Sequence, residues 1–339
     1  MTLATVPQPP RAVRSPAAAT ADPQGGTRRV SWRAAAVRLG GSAVALGALF
    51  WLLPRDQIAA AIVGVPMWVW GVAVPTYLLL HLMGIVKWRL LVNAAGAALP
   101  FRAAARAYYG GLFGNTFLPS IVGGDVVRAG LAFGAARSRT ALVLGSLVDR
   151  IQDVIGLAAV AAIGVLLAPR ALDAQSRRLF LTLAATLAVA GIGAAALLVL
   201  TPVARLPYKV RRKLVLVRRA LRATAANPGA VATGFVLGMM LQALLVVLNW
   251  WLGRACGIDI PLHVWLFVWP LAKIAGLLPV TQGGIGVREA AQVALFAPFG
   301  VPAALAFATG LVFEAVIIAG GLIGGAISFA LRRPKPLAA

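Results

Sequence analysis

The sequence predicts an all-α integral membrane protein with six transmembrane helices and two re-entrant helical hairpins in an inverted repeat. Three observations point there. Of 339 residues, 60% are hydrophobic and 12% charged, with a mean hydropathy of +0.88, where a soluble chain holds about 25% charged residues. Six apolar segments reach the length of about 20 residues that a bilayer crossing needs. A motif built on a proline and paired glycines occurs twice, inside two further apolar stretches. The composition also excludes whole classes. Cys256 is the single cysteine, so no intrachain disulfide forms, and with only His81 and His263 beside it a Cys/His metal cluster is excluded. No metal and no cofactor are expected.

Residues 1–33 read as a disordered basic tail. They hold five prolines, five arginines, Gly25 and Gly26 but few large apolar side chains, so nothing offsets the entropy of ordering. Arg28-Arg29 before an apolar run resembles a twin-arginine export signal. With so many later spans, a positive flank holding the first helix end in the cytoplasm is the simpler account. The spans fall at 35–53, 66–91, 140–168, 178–200, 229–253 and 302–331. The second contains Pro75 and carries Lys87 and Arg89 near its end, where they can snorkel to the headgroups.

Stretches 103–136 and 262–298 are apolar but broken in the middle by Pro and paired Gly. They read as hairpins of two half-helices. Broken backbone at membrane depth is tolerated only against protein or a water-filled cavity, so function is sought there. Between the fourth and fifth spans, Leu206, Val210, Leu214, Val217 and Leu221 recur at helical spacing among Arg205, Lys209, Arg212, Lys213, Arg218, Arg219 and Arg222. A basic amphipathic helix over 204–224, lying on the anionic leaflet, fits that pattern. Residues 332–339 form a second basic tail.

With the N-terminus in the cytoplasm, 23 of the 32 Lys and Arg fall inside and 5 outside. That is a positive-inside pattern for a multi-pass protein of the cell inner (plasma) membrane with both termini cytoplasmic. It accounts for most of the formal charge of +23 without nucleic acid.

Residues 118–128 and 278–288 both read L-P-x-x-x-G-G-x-x-x-R, an offset of 160 residues with five positions matching. Each half then reads span, span, hairpin, span, with boundaries at 35–168 and 178–331. Three crossings per half turn the second half upside down, and inverted repeats of broken helices are a transporter architecture. The hairpins open to opposite sides, so their tips can approach each other.

These residues resemble a known family. Asn115-x-x-Leu118-Pro119, Gly123-Gly124-Asp125-x-x-Arg128 and Leu278-Pro279-x-x-x-Gly283-Gly284-Ile285-Gly286-Val287-Arg288-Glu289 are similar to the flippase-like transmembrane domain of lysylphosphatidylglycerol synthases. The resemblance covers roughly residues 35–331 of a domain set at 34–331. The family commonly shows Glu-Arg where this chain has Asp149-Arg150. No aminoacyl-transferase domain follows Lys335, so the resemblance implies lipid translocation or handling rather than lysyl-lipid synthesis. It also implies a lipid substrate, with polyprenyl, hopanoid and glycolipid carriers among the candidates.

Five of the nine acidic residues lie in hairpins or spans: Asp125, Asp149, Asp153, Glu289 and Glu314. With Arg128, Arg150, Lys273 and Arg288 they are charges that each cost at least about 2.5 kcal/mol unless paired or wetted. One reading makes Arg128 and Arg288 a clamp on a lipid phosphate, helped by amides freed at Gly123-Gly124 and Gly283-Gly284. The other pairs Arg128 with Asp149 or Asp153 and Arg288 with Glu314, locking hairpin to span. Asn115, Asp125, Lys273 and Glu289 complete the expected substrate-binding set, with Lys273 serving the phosphate or pairing with Glu289. Asp149, Arg150, Asp153 and Glu314 are the expected coupling or ion-pair set. His81 reads as a hydrogen-bonded core histidine, and Trp68, Trp70, Trp250, Trp251, Trp265 and Trp269 as interfacial anchors. The expected function is translocation or binding of an anionic phospholipid or lipid-linked substrate, without catalysis. The rivals are an integral-membrane lipid-modifying transferase and a scaffold subunit for one. Membrane lipids are the expected partners, with a lipid-synthesis enzyme as a candidate.

Overall fold

The computed structural model describes residues 32–117, 123–167, 201–202, 207–277 and 281–332, together with Arg178, Thr182 and Gly193. The bulk of the expected span at 178–200, the tails at 1–31 and 333–339, and the Leu-Pro segments at 118–122 and 278–280 lie outside the described residues. Among the described residues every regular element is a helix. Four of them are long and apolar enough to cross a membrane: α3 (Met67–Ala94), α6 (Arg139–Leu167), α8 (Pro228–Ala255) and α11 (Ala303–Ala330). Helices α1 (Trp32–Leu52) and α2 (Arg55–Val63) make a fifth crossing if they are one broken span, bent by 103°. The bend falls at Leu53-Pro54, where proline removes a backbone donor and turns the residue before it out of the helix. Helix α7 (Tyr208–Ala225) carries the basic amphipathic sequence and packs on α6.

Both broken stretches fold back on themselves. In α4 (Phe101–Phe117), Gly110, Gly111 and Gly114 face Leu131, Arg128 and Val127 of α5 (Gly123–Ala132) in reverse order, so the two helices are antiparallel. Helices α9 (Leu262–Ala275) and α10 (Val287–Phe296) pair the same way. The Trp265 ring meets Phe296 at 4.6 Å near the open end, and Gly276 faces the Arg288 Cβ near the break. Between helices in lipid there is little hydrophobic drive, so small residues that allow close packing set the interfaces.

The halves interlock by exchange. The first hairpin's α4 packs on α11, the second hairpin's α9 packs on α6, and α3 pairs with α8 between them. Gly321, Gly324 and Gly325 of α11 receive Thr116, Tyr109 and Phe113 of α4, while Gly164 of α6 lies against the Leu266–Phe267 backbone of α9. Helices α3 and α8 are antiparallel: Asn227 Nδ2 donates to the Ala94 carbonyl at 3.3 Å, and at the other end the tilted rings of Trp68 and Trp251 meet with centroids 5.7 Å apart. Hairpin one therefore starts from the end holding the α3 C-terminus, and hairpin two from the opposite end. Their breaks meet. A Cβ built on Gly283 would stand 3.9 Å from the Asn115 carbonyl oxygen.

Charge divides along the same axis. The end with the α3 C-terminus carries Arg89, Arg102, Arg106, Arg137, Arg139 and the α7 cluster, with no acidic residue among the described ones. The other end carries Arg55, Asp56, Arg254 and Asp259. Two of the six expected tryptophan anchors are corrected. Trp265 and Trp269 are 0% and 2% exposed, edge-on to Phe296 and Phe313, because α9 is enclosed by α6, α8 and α10.

Candidate functional site

The site begins with the backbone at the two breaks. The first turn of α5 has amides without helical partners, and Asn115 Oδ1 accepts the Gly124 N–H at 3.1 Å. In hairpin two the chain turns through Gly283, Gly284 and Gly286 with φ of 58°, 83° and 90°, a region open to glycine. Glu289 Oε2 accepts the Gly286 N–H at 2.5 Å, and α1 covers this break through Ala45 and Leu46.

Where the breaks meet lies a cavity of about 300 Å³. Hairpin one contributes Asn115, Gly124, Asp125 and Arg128 to its wall, and hairpin two contributes Trp269, Lys273 and Arg288. Helix α6 adds Asp149, Arg150 and Asp153, and α3 adds His81 and Lys87. Of the expected substrate-binding residues, Gly123, Gly283, Gly284 and Glu289 do not line it. Glu289 is buried behind Arg288, holding it from Oε1 at 3.0 and 2.6 Å.

The sequence profile described as lysylphosphatidylglycerol synthase TM region matches residues 38–325. The chain belongs to this family. The matched stretch holds the cavity and both hairpins, as the motifs anticipated, and a membrane, lipid-related role follows from it. No curated protein matches the chain.

The charges on one side of the cavity form a closed ring. Lys87 bridges Asp149 (3.0 Å) and Asp153. Arg128 bridges Asp149 (3.1 Å) and Asp125 (3.0 Å). Arg150 bridges Asp125 (2.5 Å) and Asp153 (3.5 Å). Three cations and three carboxylates alternate, each touching two of the other sign. The Arg128 guanidinium also lies over the rings of Trp88 (4.7 Å) and Tyr108 (5.5 Å), a cation–π setting that helps hold a charge out of water.

The other side is built differently. Arg288 alone serves two carboxylates, Glu289 at 2.6 Å and Glu314, and lies 5.4 Å from the Trp269 ring. Lys273 does not pair with Glu289. It has no acidic partner among the described residues, and its Nζ donates to Gln242 Oε1 at 2.9 Å. Both hairpin arginines are thus in the ion-paired arrangement, on the acids expected for the locked reading.

Lys87 is a correction. Expected to snorkel to the headgroups, it is 1% exposed. Its Nζ also donates to the Asp149 carbonyl at 3.2 Å, and Gly238 of α8 leaves space for its stem. Moving it out of the cytoplasmic set of 23 leaves 22 against 5 outside, so the charge asymmetry stands. Gln242, an amide inside an apolar run, was a signal left unread. His81 is core and hydrogen-bonded as expected, its Nδ1 lying 3.3 Å from the Tyr108 hydroxyl, and it also lines the cavity. Among the described residues no cluster of His, Cys, Asp and Glu is fit to hold a metal ion.

Proposed function

We propose that the protein is a lipid translocase, or a binding protein of the same kind, for an anionic phospholipid or lipid-linked substrate whose headgroup occupies the cavity while its chains stay in the bilayer. The observation that carries this reading is Lys273. Nine other charges about the cavity are paired with one another, whereas Lys273 faces it without an ion pair, hydrogen-bonded to a neutral amide, with Asp153 acting on it only from a distance. A cation within a span costs at least about 2.5 kcal/mol without a partner or water. An anionic headgroup supplies that partner without displacing a carboxylate from Lys273.

The architecture that goes with this reading has six spans and two re-entrant hairpins in an inverted repeat. Exchanged packing, hairpins entering from opposite ends and breaks that meet at one cavity all support it. The basic end is the cytoplasmic one by the positive-inside rule, which puts both termini in the cytoplasm of the inner membrane. Either hairpin, moving as a unit with its ion pairs exchanged, exposes the same Lys273 to one side. The lipid-related role of the family agrees with this reading.

The test is headgroup accessibility of a labelled anionic phospholipid in proteoliposomes. Protein-containing vesicles should expose inner-leaflet label to an external quencher several times faster than protein-free ones, and rates equal to those of empty vesicles would overturn translocation.

A further inference from the structure

Arg150 is the ring member that stands half in the open, its side chain 45% exposed on the cavity wall. Its Nε donates to Asp125 Oδ2 at 2.7 Å and one terminal nitrogen to Asp125 Oδ1 at 2.5 Å. This is the two-pronged geometry that a guanidinium offers equally to a carboxylate or to two oxygens of a phosphate. The remaining contact, to Asp153 Oδ2, is long at 3.5 Å. Asp125 has a second cation in reach, Arg128 at 3.0 Å, so releasing Arg150 does not strand it. Beyond these charges α5 meets α6 over only a small area, in contrast to its extensive packing on α4. The ring therefore supplies much of what ties hairpin one to α6.

We propose that Arg150 is a second anion subsite, taking the oxygens of a phosphate mono- or diester, and that Asp125 is its resident occupant, displaced when the ligand arrives. The inference rests on the reading of the cavity as a lipid-headgroup site. A phosphate takes both prongs of Arg150, Asp125 keeps Arg128, and of the two ion-paired links between α5 and α6 only Arg128–Asp149 is left. Hairpin one is loosened from α6 only when a headgroup is present, which couples its motion to loading, and Lys273 on the facing side of the cavity receives the anion next.

The full chain in detergent micelles is titrated with dioctanoyl phosphatidylglycerol and, separately, with inorganic phosphate. Asp125→Asn removes the competing carboxylate with little change of shape and should tighten lipid binding about fivefold, the size of one half-exposed ion pair. Asp153→Asn makes the same charge change but frees no prong pair, and should tighten it less than about twofold. Arg150→Gln should cancel the gain, so that Asp125→Asn/Arg150→Gln binds like Arg150→Gln alone. Equal tightening by Asp153→Asn, or none by Asp125→Asn, overturns the exchange. In the wild-type chain, where no substitution disturbs folding, amide hydrogen exchange over 123–132 should rise on adding the lipid; unchanged or slower exchange also overturns it. Displacement of the lipid by inorganic phosphate supports a bare phosphate as sufficient ligand, and a response to lipid alone supports the exchange with the headgroup in its lipid. Lys273→Gln separates the two ideas. If it leaves lipid binding unchanged while Asp125→Asn still tightens it, the Lys273 reading fails and the exchange stands.

Discussion

Arg128 and Arg288 occupy matching places in a repeated motif, each over an aromatic ring and each paired with two carboxylates, yet their surroundings differ in kind. Around Arg128 each carboxylate has a second cation: Asp125 has Arg150, and Asp149 has Lys87. Around Arg288, Glu289 and Glu314 share that one arginine, and the cation that balances them, Lys273, sits on a neutral amide instead. One cluster is redundant and closed, whereas the other is minimal and leaves a charge available. Such a division suits a site where the redundant ring can give up one ion pair to a ligand without stranding a charge, while the other side offers a cation held by no carboxylate.

The comparison can be broken at the arginines. Arg288→Ala leaves two carboxylates without a cation, one of them fully buried, and should cost about 3–5 kcal/mol of stability. Arg128→Ala leaves each of its partners still paired and should cost roughly half as much. Thermal unfolding of both variants in the same detergent checks this, and the reverse order would refute the redundancy of the ring.

A smaller effect is expected where the hairpins close. A Cβ on Gly124 would overlap Asn115 Oδ1 and the Gly111 carbonyl, and one on Gly284 would lie 2.5 Å from the Gly276 carbonyl. Overpacking of this kind costs about 1–3 kcal/mol. Gly284 also has a φ of 83°, so Gly284→Ala should be worse than Gly124→Ala by roughly 1 kcal/mol. Equal unfolding temperatures would mean that the second break relaxes freely. The smallest change is Asn115→Ala, which removes the acceptor for one amide and should cost about 1 kcal/mol, read as a loss of hydrogen-exchange protection at Gly124 before any fall in unfolding temperature.

The long helices were legible because a continuous apolar run bounded by Pro, Gly or Arg leaves few choices. Expected spans at 66–91, 140–168, 229–253 and 302–331 became Met67–Ala94, Arg139–Leu167, Pro228–Ala255 and Ala303–Ala330. The breaks were legible because a Leu-Pro followed at fixed spacing by paired glycines and an arginine recurs in two apolar stretches. What sequence hides is which face of a helix meets which neighbour. Lys87 reads as a rim residue by its distance from the helix end, and only the crossing of α6 turns it onto Asp149 and Asp153. Trp265 and Trp269 look like belt residues until α9 is seen to be enclosed. The sharp turn from α1 into α2 also went unread, since Pro54 and Arg55 serve equally well to end a span. For the site, the identities of the charges were readable but their pairing was not, because a ring of six drawn from α3, α5 and α6 exists only in three dimensions.

The most direct measurement replaces Lys273. Lys273→Gln keeps a donor for Gln242, and Lys273→Arg keeps the charge. Headgroup accessibility in proteoliposomes is measured beside thermal unfolding for both. The account requires Lys273→Gln to lose about tenfold or more in rate, the loss of one charge-assisted contact, with an unchanged unfolding temperature and partial recovery in Lys273→Arg. Wild-type rates in Lys273→Gln, in a protein that unfolds at the wild-type temperature, would contradict it.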